Sequence, residues 1–385
     1  MTPLDRGQLI YGAATLATGA LLAGAAAAQS DQRAELDALR ARIEALEAAA
    51  ASSAGPGDFR LGGTTIDIYG YVKADFFYDF DFDQGDSAFV NVIGEPASAT
   101  NGRFDGTIRQ SRLGLRTSTQ SAIGEIRGQL ELDLFGGSSS TPELRVRHAN
   151  VEIGENWLVG QTWTNFMPIN EYPTSVEFNG PVGIAFARKP QVRYSNSFDN
   201  GFAFSVSVEE SAVPSSDPIV TAAAQFSNDQ YTARIAGLYG TAESGSVEVD
   251  QTGITLSGAV RPWSGGLFQV TYVTGEAIGP LMIGLADAIV GGQANDVDGY
   301  TVEFRQDVGA GWNLGIAYGR EEYDLPTSTG TLSFTELETI HVNAFYDLTD
   351  NLTLGAEYIF GERNDAATGR SFDGDRVQVA LQLNF

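Results

Sequence analysis

The most regular feature of the chain is an alternation of apolar and polar side chains that starts at Thr65 and runs to the last residue. It is clearest at the end, where Val377, Val379, Leu381, Leu383 and Phe385 share one face and Arg376, Gln378, Gln382 and Asn384 the other. Leu130, Leu132 and Leu134 oppose Arg127, Gln129, Glu131 and Asp133, and Phe202, Phe204, Val206 and Val208 oppose Ser205, Ser207 and Glu209. A period of two over about ten residues is the signature of a strand with one apolar and one polar face.

Sixteen such windows can be counted, and the gaps between them sort by parity. Long gaps fall near 80–106, 136–142, 165–189, 211–218, 241–250, 276–297, 323–334 and 363–374. Short ones fall near 119–122, 154–155, 198–200, 227–229, 262–265, 309–310 and 348–350. Turns on one side and loops on the other are the mark of a transmembrane barrel, whereas a soluble sandwich or solenoid has no reason to order its loops this way. The predicted fold is all-β: a 16-stranded antiparallel transmembrane β-barrel over residues 65–385. In lipid an open sheet edge would leave a row of unpaired amides and carbonyls, so the sheet must close. Sixteen strands enclose a lumen too wide for side chains alone to fill, which explains a polar inner face. Tyr69, Tyr71, Trp157, Trp263, Trp312 and Phe385 stand near strand ends, as interfacial girdle residues would.

The segment before the barrel has a different pattern. Residues 1–28 carry an apolar run ending in small residues, with Ala26 and Ala28 spaced for cleavage, and read as a signal peptide. Asp5 offsets Arg6 in its weak charged region, so the alternative is a buried N-terminal helix. Residues 29–51 read as a coiled-coil helix: Leu36, Leu39, Ile43 and Leu46 recur at a/d spacing, and Glu35 with Arg40 and Arg42 with Glu47 are complementary g and e′ pairs. The alternative there is a solvated amphipathic helix, since three heptads are marginal alone. Residues 52–64, with Pro56 between two glycines, form a linker.

Composition then removes other classes. The formal charge of −26 denies nucleic acid its basic footprint. The absence of cysteine removes disulfide scaffolds and thiolate metal sites, and no cofactor or metal motif is present. His148 and His341 are the chain's two histidines and no catalytic constellation accompanies them, so no enzyme is expected. Asp79, Asp81, Asp83 and Asp86 approach a calcium-loop spacing, but Gly85 falls one position late, and they read as a solvated acidic rim.

Four short runs and one residue carry a resemblance: Gly70-Tyr71-Val72-Lys73, Gln110-Ser111-Arg112-Leu113-Gly114, Arg147-His148-Ala149, Gly160-Gln161-Thr162-Trp163-Thr164-Asn165-Phe166, and the terminal Phe385. With the exported N-terminus and the coil, the chain resembles the bacterial outer-membrane porins, and more closely the DcaP-like trimeric porins. The resemblance implies an integral outer-membrane homotrimer among lipid and lipopolysaccharide. It also implies a loop after the fifth strand, Asn165–Lys189 here, that folds into the lumen, and small anionic solutes, notably dicarboxylates, as cargo. The apolar run from Ile278 to Val290 departs from this picture, and its placement does not follow from the pattern.

Charge is unevenly spread. Residues 103–193 hold ten basic and nine acidic side chains, while the remainder holds 13 and 40. Alternation turns Arg112, Arg116, Arg127, Arg145, Arg147 and Arg193 inward, and Arg188 and Lys189 leave the constriction loop beside them. Arginine grips carboxylates bidentately and stays charged. Two readings stand together: an anion ladder, or ion pairs with Glu131, Asp133 or Glu177 that stiffen the wall. Inward Arg145 and Arg147 conflict with outward Val151 and Ile153, so a β-bulge near residues 148–150, or a subunit contact there, is required. For the coil, we expect a chain lacking residues 29–57 to form a trimer less resistant to heat and detergent, as read by sizing in mild detergent. Unchanged resistance would remove that role.

Overall fold

The computed structural model describes residues 40–42, 59–88, 90–94, 102–329 and 332–385. The signal peptide and the heptad positions Leu36, Leu39, Ile43 and Leu46 lie outside the described residues. Residues 1–66 form a unit separate from 67–385. Within it, residues 40–42 are helical, and Phe59–Leu61 pairs antiparallel with Thr64–Ile66.

The barrel runs from Thr64 to Asn384. Its strands are β1 (Thr64–Asp79), β2 (in two pieces, Arg103–Thr107 and Arg112–Ser121), β3 (Gly124–Ser138), β4 (Thr141–Ile153), β5 (Trp157–Trp163), β6 (Arg188–Ser197), β7 (Phe202–Glu209) and β8 (Ile219–Ser227). β9 (Tyr231–Ser244), β10 (Val247–Val260), β11 (Gly266–Glu276), β12 (Asp296–Gly309), β13 (Trp312–Thr329), β14 (Leu332–Thr349), β15 (Leu352–Asp365) and β16 (Ser371–Asn384) complete it. Neighbours in sequence pair antiparallel, and β1 pairs with β16 from Tyr71↔Asn384 to Asp79↔Arg376, which closes the sheet. The sixteen-stranded closed barrel expected from the alternation is present.

Its faces are reversed relative to a water-soluble protein. Val377, Val379, Leu381 and Leu383 stand exposed on the outer wall, while Arg376 and Gln378, which alternate with them, are buried. Such a wall suits hydrocarbon outside and polar contacts inside. Trp157, Trp263, Trp312 and Phe385 are exposed as girdle residues should be. Tyr69 and Tyr71 are not girdle residues: they face inward, where Arg116 lies 3.7 Å from the Tyr69 ring centroid and Arg112 5.2 Å from that of Tyr71. The alternation itself puts them opposite the exposed Ile68 and Val72.

The connections at the long-loop end differ from the sequence pattern. Where loops were expected at 136–142, 241–250, 323–334 and 363–374, the hairpins run on, with Ser138↔Thr141, Ser244↔Val247, Thr329↔Leu332 and Asn364↔Ser371 as last pairs. Beyond the apolar band both faces meet water, so alternation fades while the backbone ladder, which needs no apolar face, continues. Among the described residues, the extended connections that remain lie within 80–94, 164–187, 210–218 and 277–295.

Three of these loops supply a hydrophobic core inside the barrel. Val90 and Ile93, then Phe166, Val182, Ile184 and Ala185, then Ile278, Leu281, Met282 and Ala286, cluster with the inward wall residues Val273, Phe334 and Leu337. This places the apolar run 278–290: Ala185 bridges to Met282, and the Phe186 amide donates to the Leu281 carbonyl at 2.7 Å. Inward-facing glycines make the room. A Cβ on Gly299 would press on Met282 and Gly183, and one on Gly361 on Val90 and Ile93.

The seam is locked by charge. Arg376 Nε and Nη2 donate to the two carboxylate oxygens of Asp79 at 2.7 and 2.8 Å, both side chains fully buried, with the guanidinium 4.0 Å from the Phe77 ring centroid. The expected acidic rim is therefore corrected: Asp79 is buried in this pair, Asp83 pairs with Arg103, and Asp86 lies 2.7 Å from Arg109. Removing one partner of a buried pair strands the other charge, at a cost of roughly 3–5 kcal/mol. We expect Arg376→Ala to lower stability by about that amount in denaturant unfolding of detergent-solubilised protein, and a loss below about 1 kcal/mol, the scale of exposed pairs, would show that the seam does not depend on it.

Candidate functional site: the loop across the lumen and its arginines

The loop 164–187 starts at β5 and reaches strands far across the barrel, held there by wall side chains that bind its backbone. Glu209 accepts the Asn165 N–H at 2.9 Å, Glu303 that of Thr174 at 3.1 Å, Glu357 that of Val176 at 2.5 Å and Glu321 that of Gly183 at 2.9 Å. Lys73 donates to the Val176 carbonyl at 2.5 Å, and Arg305 and Asn343 donate to that of Thr174 at 2.8 and 2.9 Å. Those that involve an ionised side chain are roughly twice as strong as neutral ones. The loop expected to fold into the lumen at Asn165–Lys189 is thus present, with bounds set by Trp163 and Arg188. Its four carboxylate anchors were not foreseen. Their inward positions were readable from alternation, but their partners are backbone groups of a distant loop.

At the loop's tip Glu177 accepts the amides of Ala88, Asn179 and Gly180 at 2.9, 2.6 and 2.9 Å. Burial raises its carboxyl above the ordinary range, opposed by His341. Burial likewise raises that of Glu171. His341 Nδ1 sits 2.6 Å from Glu357, so this histidine belongs to the loop's support. His148 lies 2.9 Å from the Thr162 hydroxyl and edge-on to Trp163.

The arginines divide into paired and unpaired. Arg127 bridges Glu125 and Glu152 at 2.9 and 2.7 Å, Arg145 bridges Asp133 at 2.6 Å, and buried Arg147 bridges Glu131 and Asp133 at 2.7 and 3.0 Å. Arg116, more than half exposed, lies 3.6 Å from Asp67. Arg112 reaches Glu131 only at 4.0 Å. Arg188 has its guanidinium 5.0 Å from the Trp163 ring centroid, and Arg193 donates to the Trp163 carbonyl at 2.5 Å. Neither makes an ion pair among the described residues, and Lys189 donates to the Ser211 carbonyl at 3.1 Å. Arg145 and Arg147 also face the Phe178 ring of the loop, at 5.6 and 5.7 Å.

The bulge needed to reconcile β4 is found one residue earlier than expected. Glu131 pairs with His148 and Leu132 with Val146, leaving Arg147 as the extra residue. Val146 and Val151 both end up on the outer wall, and Arg147 and His148 are both buried. Arg234 was missed. It extends from β9, donates to the Asn165 carbonyl at 2.6 Å, and has no ion pair among the described residues. Its position opposite Ile235 was the available signal, but it lies outside the basic stretch 103–193.

A closed barrel with an apolar wall, a polar interior and a loop laid across the lumen is an outer-membrane channel fold of the porin type. Within that class the chain belongs to the DcaP outer membrane protein family, whose model matches residues 36–259. The structure is similar to that of the outer membrane channel DcaP of Acinetobacter baumannii, with a TM-score of 0.77 and 22% identity over 85% of this chain and 99% of that one. An anion-selective porin from Comamonas acidovorans has a TM-score of 0.59 and 16% identity, over 84% and 100% of the two chains. OmpT of Vibrio cholerae matches at 0.59 and 14%, over 85% and 99%. No curated protein matches the chain in sequence.

For Glu177 the sign of the pH effect is fixed by the raised pKa. Its stabilising contribution is complete below the ordinary carboxylate range and is lost as pH rises through the raised value, where the buried group must ionise. Glu177→Gln cannot ionise, so its melting temperature relative to wild type should climb from pH 4 to pH 8. A relative value that falls over that range would contradict the burial argument.

Proposed function

We propose that the protein is a homotrimeric outer-membrane porin that passes small hydrophilic solutes passively and prefers anions. The observation that carries this reading is the set of guanidiniums beside the loop that close carboxylates do not neutralise. Arg188 and Arg193 are held by Trp163 through its ring and its carbonyl, and Arg112 stands 4.0 Å from its nearest carboxylate. In a narrow aqueous passage, screening is least complete, so such charges outweigh the acidic groups committed to pairs elsewhere.

The remaining expected residues take part differently. Arg127, Arg145 and Arg147 are engaged with carboxylates and shape the wall, while Arg116 and Lys189 lie beside the passage. Both expectations for the arginines are thus drawn on, and carboxylate-bearing solutes, including dicarboxylates, suit the unpaired ones. The DcaP channel and the anion-selective porin share the fold and support the reading. The trimer form of OmpT, TM-score 0.57 with 14% identity over 84% of this chain and 100% of that one, and the heptads at Leu36, Leu39, Ile43 and Leu46 support the assembly. Residues 1–28 direct export, and the exposed apolar wall meets membrane lipid and lipopolysaccharide. No catalysis enters the proposal.

Reversal potentials across a potassium chloride gradient test it. Wild type should pass chloride in preference to potassium, and Arg112→Gln with Arg188→Gln should reduce that preference several-fold. A wild-type channel that prefers potassium would instead assign control to the acidic remainder of the chain.

A further inference from the structure

A second group of donors lies on another flank of the loop from Arg112, Arg145 and Arg147. A cavity of about 210 Å³ is lined by Arg193 of β6, Arg234 of β9 and Asn165 of the loop, together with Ser205, Ala223 and Gln225. Asn165 Oδ1 accepts from the Ser205 hydroxyl at 2.7 Å and from Arg234 Nη2 at 3.3 Å, which turns its amide NH₂ away from both. That Nδ2, Arg193 Nε and Arg234 Nη1 are all buried without a hydrogen-bond partner. Three residues that line one small cavity thus each carry a buried, unsatisfied N–H, which is unusual because buried donors in folded proteins are almost always paired. Glu209, the wall carboxylate of this region, commits its Oε1 to the Asn165 backbone N–H at 2.9 Å and the Thr221 hydroxyl at 2.9 Å, and its Oε2 is buried without a hydrogen-bond partner.

We propose that this cavity is a discrete oxyanion-binding site, formed by Arg193, Arg234 and Asn165, at which a small carboxylate or phosphate halts within the channel. An oxyanion supplies several acceptor lone pairs to donors converging from two strands and a loop. Small turns of the three side chains bring the unused N–H groups onto it, and its charge joins that of Glu209 in balancing the two guanidiniums. Ser205 and Gln225 offer further polar contacts. Occupancy ties β6, β9 and the loop together, so the site also steadies the loop's root. The site deepens the anion-preferring reading and rests on it for the supply of anions, but its binding chemistry is separately measurable.

The test is single-channel recording on the full-length trimer in potassium chloride, titrating acetate in one arm and inorganic phosphate in the other. Wild type should show concentration-dependent reduction of the chloride current by at least one of them, and the arm that responds identifies the class of oxyanion. Arg234→Gln should raise the half-inhibiting concentration about tenfold or more. Ala223→Leu, which fills the cavity while keeping both arginines, should do the same, so a folding defect in one variant does not decide the matter. Arg103→Gln, at an exposed arginine paired with Asp83 and Asp105, serves as control and should titrate like wild type. Identical titrations in wild type, Arg234→Gln and Ala223→Leu, or no inhibition by either oxyanion, would overturn the site. The reversal potential separates the two ideas. Anion preference with unchanged titrations removes the site alone, whereas potassium preference with an inhibition that Arg234→Gln abolishes removes the selectivity reading and leaves the site standing.

Discussion

Hydrocarbon offers no partner to a backbone amide or carbonyl, and the rest of the structure depends on that constraint. Each unpaired group would cost several kcal/mol, so the sheet is forced to close on itself. Closure brings β16 back to β1 and makes Asp79 and Arg376 direct partners in register. It also fixes which face is greasy. The apolar residues have to stand outward, and the interior is left to groups that need polar company. The interior of this barrel is accordingly built from ion pairs and charge-assisted bonds, with an apolar core present only where loops carry it in.

That inversion gives the acidic composition a use. Glu209, Glu303, Glu321 and Glu357 do not line a cation path as free charges, because each accepts a backbone N–H of the loop. A carboxylate whose lone pairs are taken by amides presents less charge to a passing ion than formal counting suggests. The basic side is treated differently. Arg188 and Arg193 are positioned by an indole ring and a carbonyl, neutral partners that fix a guanidinium without cancelling it. Net charge over the whole chain is therefore a poor guide to the potential in the lumen, while the identity of each partner is a good one.

The barrel was legible in the sequence for a physical reason: one face in lipid and one in a polar lumen imposes strict alternation, as at Val377 to Leu383. The bulge in β4 was legible too, because Arg147 and Val151 could not both be accommodated without it. What alternation cannot report is contact between elements distant in sequence. The anchoring of Thr174 by Glu303 and of Val176 by Glu357 depends on barrel curvature and on where a loop falls. The extended hairpins beyond the apolar band were hidden because their two faces share one solvent. Ile278 to Val290 looked anomalous as a surface loop and makes sense only once it is seen packed on Ile184 and Ala185 inside the wall.

The core formed by the loops bears directly on the chemistry of the passage. A guanidinium can favour one sign of ion only if it holds its place while unpaired, and an unpaired side chain tends to swing toward the nearest carboxylate. Rigidity must come from elsewhere. Here Trp163 terminates β5, packs against Phe186 with ring centroids 4.9 Å apart, and through Phe186 joins the apolar cluster of loops 164–187 and 277–295. The same tryptophan lies beside Arg188 and offers its carbonyl to Arg193. Apolar burial thus fixes a neutral support, and the support holds charged groups that carboxylates have left uncompensated. The hydrophobic loop and the basic lining, which look unrelated in sequence, are two parts of one arrangement.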